Sequence, residues 1–283
     1  MSRSHQLTLK KFSMDKIKFD NNKASGPTIV LIGKRNTGKS FLVRDILYYH
    51  QDVPVGTVIS GTEEVNKFYG SMIPKIFIHY EYSSYFIENL MKRQKQICKT
   101  ITNDKMRYGR SNIDGRAFAI LDDCLYNSKI WSRDTLMQYI FMNGRHLKIM
   151  LMITMQYPLG IPPNMRCNID YVFILRTMVM TERVKIYNHY AGMFPSFEAF
   201  CQIMDSCTDN YECIVIDNTV QSNKLEDIVF WYKADDHNEF RLGNREFWEM
   251  SKHLTDDDTN ADQPLSTMKR KTNQPTINVH KLR

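Results

Sequence analysis

The run Thr28-Ile29-Val30-Leu31-Ile32 leads straight into Gly33-Lys34-Arg35-Asn36-Thr37-Gly38-Lys39-Ser40, and Phe41 to Tyr49 then reads as helix. A continuous β-rich run bounded by turn residues predicts a strand covered on both faces, as in parallel sheets. The octapeptide is G-x-x-x-x-G-K-S in the strand-before, helix-after setting that gives this pattern its physical meaning. Its glycines let the backbone curl around a phosphate, and its N–H groups and the helix N-terminus supply positive potential. Lys39 then reaches the outer phosphates of a nucleotide, and Ser40 is placed to hold Mg²⁺. Gly33, Lys34, Arg35, Asn36, Thr37, Gly38, Lys39 and Ser40 are thus the predicted cradle for ATP.

Strands and helices go on alternating. Gly56 to Ser60, Lys75 to His79, Ala117 to Leu121, Ile149 to Thr154 and Tyr171 to Leu175 read as strands. Between and after them, Ser84 to Ile101, Arg133 to Met142, Glu182 to Tyr190 and Phe197 to Ser206 read as helices, with Glu212 to Ile216 and Ile228 to Tyr232 as a terminal hairpin or edge strands. The pattern predicts an α/β fold with a mainly parallel sheet flanked by helices. With 42% hydrophobic and 24% charged residues in 283, collagen-like, low-complexity and fully disordered classes are excluded. The expected organisation is a flexible N-terminal arm over 1–26, one ATPase domain over 27–250 and a disordered polar tail over 251–283.

A phosphate-gripping loop needs a carboxylate to complete the metal shell, projecting from the end of an apolar strand. Phe118-Ala119-Ile120-Leu121-Asp122-Asp123 supplies it: Asp122 is the second expected metal residue beside Ser40, and Asp123 is placed to polarise water as a general base. Thr154-Met155-Gln156-Tyr157 closes another apolar strand, so Gln156 should lie at the same edge and sense the γ-phosphate. Ring ATPases commonly borrow a guanidinium from a neighbouring subunit. Arg145, at a helix end before a strand, is preferred for this over Arg166 in a loop, and either could instead be a surface ion-pair or helix-end cation.

The longest apolar run, Ile149 to Met155, falls far short of the ~18 residues that span a bilayer, and the N-terminus lacks a secretory apolar core, so no membrane anchor is expected. Six cysteines without a C-x-x-C pair predict reduced thiols, and Cys201, Cys207, Cys213 and His189 have no zinc-like spacing. Lys92, Arg93, Lys95, Lys99, Lys105, Arg107 and Arg110 form a basic stretch, and the net charge of +7 also favours a polyanionic partner. A solvated helix face is the plainer reading of that stretch.

Taken together these residues resemble the FtsK/HerA superfamily of P-loop ATPases, most closely the genome-packaging branch of nucleocytoplasmic large DNA viruses. Besides the two Walker motifs, the resemblance rests on Thr62-Glu63-Glu64-Val65-Asn66, Phe68-Tyr69, Ile73-Pro74 and Phe77-Ile78. It rests further on Asn143-Gly144-Arg145-His146, Thr154-Met155-Gln156-Tyr157, Pro162-Pro163 and Arg166-Cys167-Asn168-Ile169-Asp170, and it covers roughly Gly26 to Tyr232. It implies a RecA-like P-loop NTPase core of the additional-strand type, in which the Gln156 strand inserts between the P-loop strand and the Asp122 strand. It also implies a homo-oligomeric ring around double-stranded DNA, a capsid or portal partner, and action at the virus assembly site in the host cytoplasm, with the virion as a second location. Many superfamily members carry Glu where this chain has Asp123, one methylene shorter.

No nuclease domain like that of large terminase subunits is expected after Tyr232, and neither the membrane anchors of cellular chromosome pumps nor the barrel of archaeal relatives is expected in the first 26 residues. The expected function is ATP-driven packaging of viral double-stranded DNA. The alternatives are a P-loop small-molecule kinase and a nucleotide-binding assembly factor without turnover.

Overall fold

The computed structural model describes residues 8–23, 25–124, 131 and 133–258. The strands are β1 (Lys10–Lys11), β2 (Thr28–Ile32), β3 (Gly56–Ser60), β4 (Ile78–His79), β5 (Ala117–Asp122), β6 (Ile149–Met155), β7 (Tyr171–Leu175), β8 (Glu212–Asp217) and β9 (Val229–Lys233). The helices are α1 (Lys39–Tyr48), α2 (Glu63–Asn66), α3 (Ser84–Tyr108), α4 (Thr135–Asn143), α5 (Pro163–Arg166), α6 (Met180–Tyr190), α7 (Phe197–Cys207), α8 (Leu225–Ile228) and α9 (Arg245–Asp258).

Every residue of β2, β3, β6 and β7 is buried, as a doubly covered strand demands. The sheet order is β1-β9-β8-β7-β2-β6-β5-β3-β4, and only β8 runs against the rest. The strand carrying Gln156 at its end, β6, thus lies between the P-loop strand β2 and the acid-bearing β5, as the family resemblance implies.

Successive side chains point to opposite faces, so each strand feeds two cores. Leu31, Met152 and Phe173 share one with Leu42 and Ile46 of α1. Val30, Leu151 and Val172 share the other with Ile87 of α3, Phe141 of α4, Ile186 of α6 and Phe200 of α7. Burying each such side chain contributes about 1.5–3 kcal/mol, which fixes the strand register and therefore which side chains emerge together at the sheet edge.

Three expectations change. The described part of the arm expected to be flexible is docked on the domain: exposed Lys10 and Lys11 pair with Phe230 and Trp231 of β9, and Phe12, Met14, Ile17 and Phe19 are buried in the core shared with α1. Lys75 to His79 is not one strand, because a 3-10 turn over Lys75–Phe77 follows Pro74 and leaves Ile78–His79 to pair with β3. The tail expected from residue 251 begins inside α9, which runs to Asp258. Asn244 accepts a hydrogen bond from the Phe247 amide at 2.9 Å, a helix N-cap, and Phe247 stacks on Phe77 at 4.2 Å. Residues 1–7 and 259–283, at the outer ends of the expected arm and tail, lie outside the described residues. No helix among the described residues is long and apolar enough to cross a membrane.

Candidate active site

The loop between β2 and α1 curls because Asn36 and Gly38 adopt left-handed backbone, φ 62° and 92°, and the Thr37 hydroxyl donates to the Lys34 carbonyl at 2.8 Å. Gly38 is the N-cap residue of α1 and brings no side chain to its first turn, leaving the early amides to face outward as an anion-binding end. Lys39 and Ser40 open that helix, at the edge of the sheet where β5 and β6 also end.

Strand register sets the acids. Ser60, Asp122 and Thr154 are aligned partners across β3, β5 and β6, so their side chains form one row on the α1 face. The Thr154 hydroxyl donates to Asp122 Oδ1 at 2.5 Å and the Ser60 hydroxyl to Oδ2 at 3.2 Å. Burial pushes the Asp122 carboxyl above its ordinary range; the Thr154 hydroxyl opposes this, Asp123 adds to it, and Lys39 and Ser60 oppose it.

Asp123 turns the other way. Its left-handed backbone, φ 48°, is unusual outside glycine and aims its carboxylate across the P-loop. Asp123 Oδ1 lies 2.5 Å from Lys39 Nζ, Oδ2 accepts from Gln156 Nε2 at 2.9 Å, and its own amide donates to Thr154 Oγ1 at 3.1 Å. Lys39, Ser40, Asp122, Asp123 and Gln156 therefore line one cavity of about 940 Å³ with the P-loop residues Lys34, Arg35 and Asn36. Gly33 opens the loop after β2 behind that lining, its amide donating to the Met155 carbonyl at 3.0 Å.

The oxygen donors on offer are the Ser40 hydroxyl and the Asp122 carboxylate, the latter held by two neighbouring hydroxyls, and such hard donors suit Mg²⁺ rather than a softer metal. Thr154 and Ser60, which orient Asp122, are not among the residues that the sequence motifs mark for the site. The available signal was position: Ser60 closes β3, and Thr154 is the polar residue one place before the end of β6. Buried Glu63 accepts from the Tyr69 and Gly70 amides at 2.8 and 2.7 Å, tying down the loop after β3 that brings Thr62, Asn66 and Phe68 to the cavity.

Arg145 is not at this site. It precedes β6, whose seven residues rise about 23 Å at ~3.3 Å each, so it sits at the opposite edge of the sheet from Gln156. There its guanidinium lies 3.4 Å from Asp170 Oδ1. Arg166 closes α5 on the way to that same edge, 5.7 Å from the centre of the Tyr190 ring. The expected basic stretch lies on α3, with Arg110 just beyond its end, and α3 packs on the face of the sheet away from α1. Lys92 pairs with Glu88 at 2.7 Å, Arg93 donates to Gln94 at 2.5 Å and Lys95 covers the Tyr139 ring, whereas Lys99, Lys105, Arg107 and Arg110 are exposed.

A mostly parallel sheet with a glycine-curled loop on its central strand, facing an acid pair across an inserted strand, defines a P-loop NTPase of the additional-strand type. No protein-family model matches the chain. It is 42% identical over 237 residues to uncharacterized protein L437 of Acanthamoeba polyphaga mimivirus, covering 83% of this chain and 82% of that one. It is 36% identical over 261 residues to uncharacterized protein 075L of Invertebrate iridescent virus 6, covering 89% and 96%. Among solved structures it is similar in fold to the genome packaging NTPase B204 of Sulfolobus turreted icosahedral virus 2, at TM-score 0.50 and 16% identity, covering 76% of this chain and 99% of that one. It is also similar in fold to the pCW3 conjugation coupling protein TcpA, at TM-score 0.50 and 12% identity over 88% and 73%. The chain belongs to one family with these mimivirus and iridescent-virus proteins, and its fold is that of P-loop NTPases such as B204.

Proposed function

We propose that this protein is an ATP-hydrolysing motor that moves viral double-stranded DNA into a preformed capsid, at the assembly site in the host cytoplasm. The observation that carries the reading is the convergence of Lys39, Asp122, Asp123 and Gln156 on one cavity from three adjacent strand ends. The packaging role is supported by the likeness in fold to B204, described as a genome packaging NTPase.

The P-loop amides and Lys39 bind the phosphates, and Ser40 and Asp122 hold Mg²⁺. The bound ion supplies charge neutralisation at the phosphate oxygens. Asp123 orients a water and accepts its proton at a carboxylate oxygen, and Gln156, whose amide already holds that carboxylate, couples it to the γ-phosphate. Arg145, at the far edge of its own sheet, serves the site of a neighbouring copy in a homo-oligomeric ring. The exposed cations of α3 contact DNA phosphates without reading sequence, so DNA binding weakens steeply with salt. A capsid or portal component receives the ring.

The test is steady-state ATP hydrolysis by the purified protein with and without long duplex DNA. Stimulation by the duplex is the expected result. Stimulation by a small acceptor instead would identify a kinase, and the absence of any turnover would identify a scaffold; either result defeats the reading.

A further inference from the structure

The sheet order orients whatever the P-loop holds. The acids and Gln156 stand at the ends of β5 and β6 on one side of β2, while β7, β8 and β9 lie on the other. A triphosphate whose outer phosphate faces Asp122, Asp123 and Gln156 must send its nucleoside toward the β8–β9 side.

What stands there is an aromatic wall. Tyr211, just ahead of β8, lines the same cavity with Phe41 of α1, and both rings are largely open, at 69% and 64% exposure. Asn210 and Tyr211 are consecutive left-handed residues, φ 51° and 64°, and this backbone is rare for a bulky aromatic. The twist lays the Tyr211 ring against the P-loop itself: a β-carbon on Gly38 would stand 3.2 Å from Tyr211 Cδ1. The strained backbone holds this ring exposed beside the phosphate loop, outside both hydrophobic cores.

The rest of that wall is fixed to the P-loop helix. Lys233, Ala234 and Asp236, at and beyond the end of β9, line the cavity. Tyr232 and His237, which flank them, both hydrogen-bond the buried Asp45 carboxylate of α1, at 2.6 Å each. His237 also stacks on Tyr48 at 3.8 Å.

We propose that Tyr211 is the stacking platform for the nucleobase, the subsite that makes this P-loop a nucleoside-triphosphate site rather than a polyphosphate site. The proposal rests on the nucleotide-binding reading above and deepens it. Stacking on an aromatic side chain is sequence-tolerant and worth about a factor of ten or more in affinity per base.

The test is calorimetric titration of the full chain, in Mg²⁺, with ATPγS and with inorganic tripolyphosphate, for the unaltered protein and for Tyr211→Ala, Tyr211→Phe and Phe68→Ala. Tyr211→Ala should weaken ATPγS about tenfold and leave tripolyphosphate unchanged, with Tyr211→Phe close to the unaltered protein. Unchanged ATPγS affinity in Tyr211→Ala overturns the proposal, as does equal weakening of both ligands, which would mean that Tyr211 only shapes the loop. A loss confined to Phe68→Ala would place the base on the acid side and overturn it too. If the unaltered protein binds neither ligand, the nucleotide reading itself fails and takes this inference with it.

Discussion

Lys39 and Asp123, 84 positions apart, are each other's charge partner, with Nζ 2.5 Å from Oδ1 and both side chains mostly buried. Phosphate oxygens arriving at Lys39 compete for the same ammonium, so phosphate binding and release of the Asp123 carboxylate are one event. The prediction is that Asp123→Asn binds ATP at least as tightly as the unaltered protein and hydrolyses it about 10²–10⁴-fold more slowly. Binding titration and single-turnover hydrolysis read the two effects separately. Weakened binding together with normal turnover would show that Asp123 is a structural partner and not the base.

Thr154 bridges the two acids, donating to Asp122 and accepting from the Asp123 amide. Thr154→Val keeps the shape and removes both bonds, leaving a buried carboxylate oxygen and an amide unpaired at a cost of about 1–3 kcal/mol. The Thr154 hydroxyl also works against burial in keeping Asp122 ionised. Its loss should therefore move the acid limb of ATP turnover to higher pH. Denaturant unfolding and a pH–rate profile check both effects, and an unmoved acid limb would rule out Asp122 as the group titrating there.

Arg145 tests the ring. Its contact with Asp170, 3.4 Å long and partly exposed, contributes at most about 1 kcal/mol, so Arg145→Ala should fold normally. Turnover should fall about 10³–10⁵-fold with ATP binding intact. Mixing Arg145→Ala with Lys39→Ala chains should restore part of the activity, because one supplies an intact P-loop and the other an intact arginine. Two inactive parents that stay inactive when mixed, with Arg166→Ala behaving as Arg145 was expected to, would transfer the role to Arg166.

The strands and helices around the P-loop were legible because their signals are local: the apolar runs over 29–32, 117–121 and 149–153 are continuous and stop at Gly33, Asp122 and Thr154. The position of the Gln156 strand came from the family resemblance, since periodicity does not encode strand order. Lys39–Asp123 was not legible, because each partner is explained locally without the other. The N-terminal segment misled for a different reason. Phe12 and Met14, then Ile17 and Phe19, keep the strand period for one step each, but Asp15-Lys16 breaks it between them and the other intervening residues are Ser13 and Lys18, so the segment reads as solvated until α1 is seen to cover it.

That segment yields a stability prediction. The Phe12 ring meets Tyr171, Phe173 and Phe230 edge-on at centroid distances of 5.9, 5.8 and 5.7 Å. Phe12→Ala should cost about 3–5 kcal/mol in chemical denaturation. A cost below about 1 kcal/mol would mean that the segment is the flexible arm its composition suggests.

His79 gives the fold an acid sensitivity with a defined window. Its ring stacks on Phe86 at a centroid distance of 3.4 Å, and burial pushes its pKa down to about 4 from the usual 6.5. Between these values the unfolded chain holds the proton that the folded chain refuses, so stability rises with pH across the window. The contribution is fully present above pH 6.5 and is lost as the pH falls toward 4. Buried His50, also lowered chiefly by desolvation, adds to the same slope. His79→Gln should flatten the dependence of unfolding free energy on pH in this window by up to one proton, leaving the His50 part in place. Urea titrations of both proteins at several pH values between 4 and 7 measure the slopes, and equal slopes would mean that His79 is protonated as readily in the folded chain as in the unfolded one.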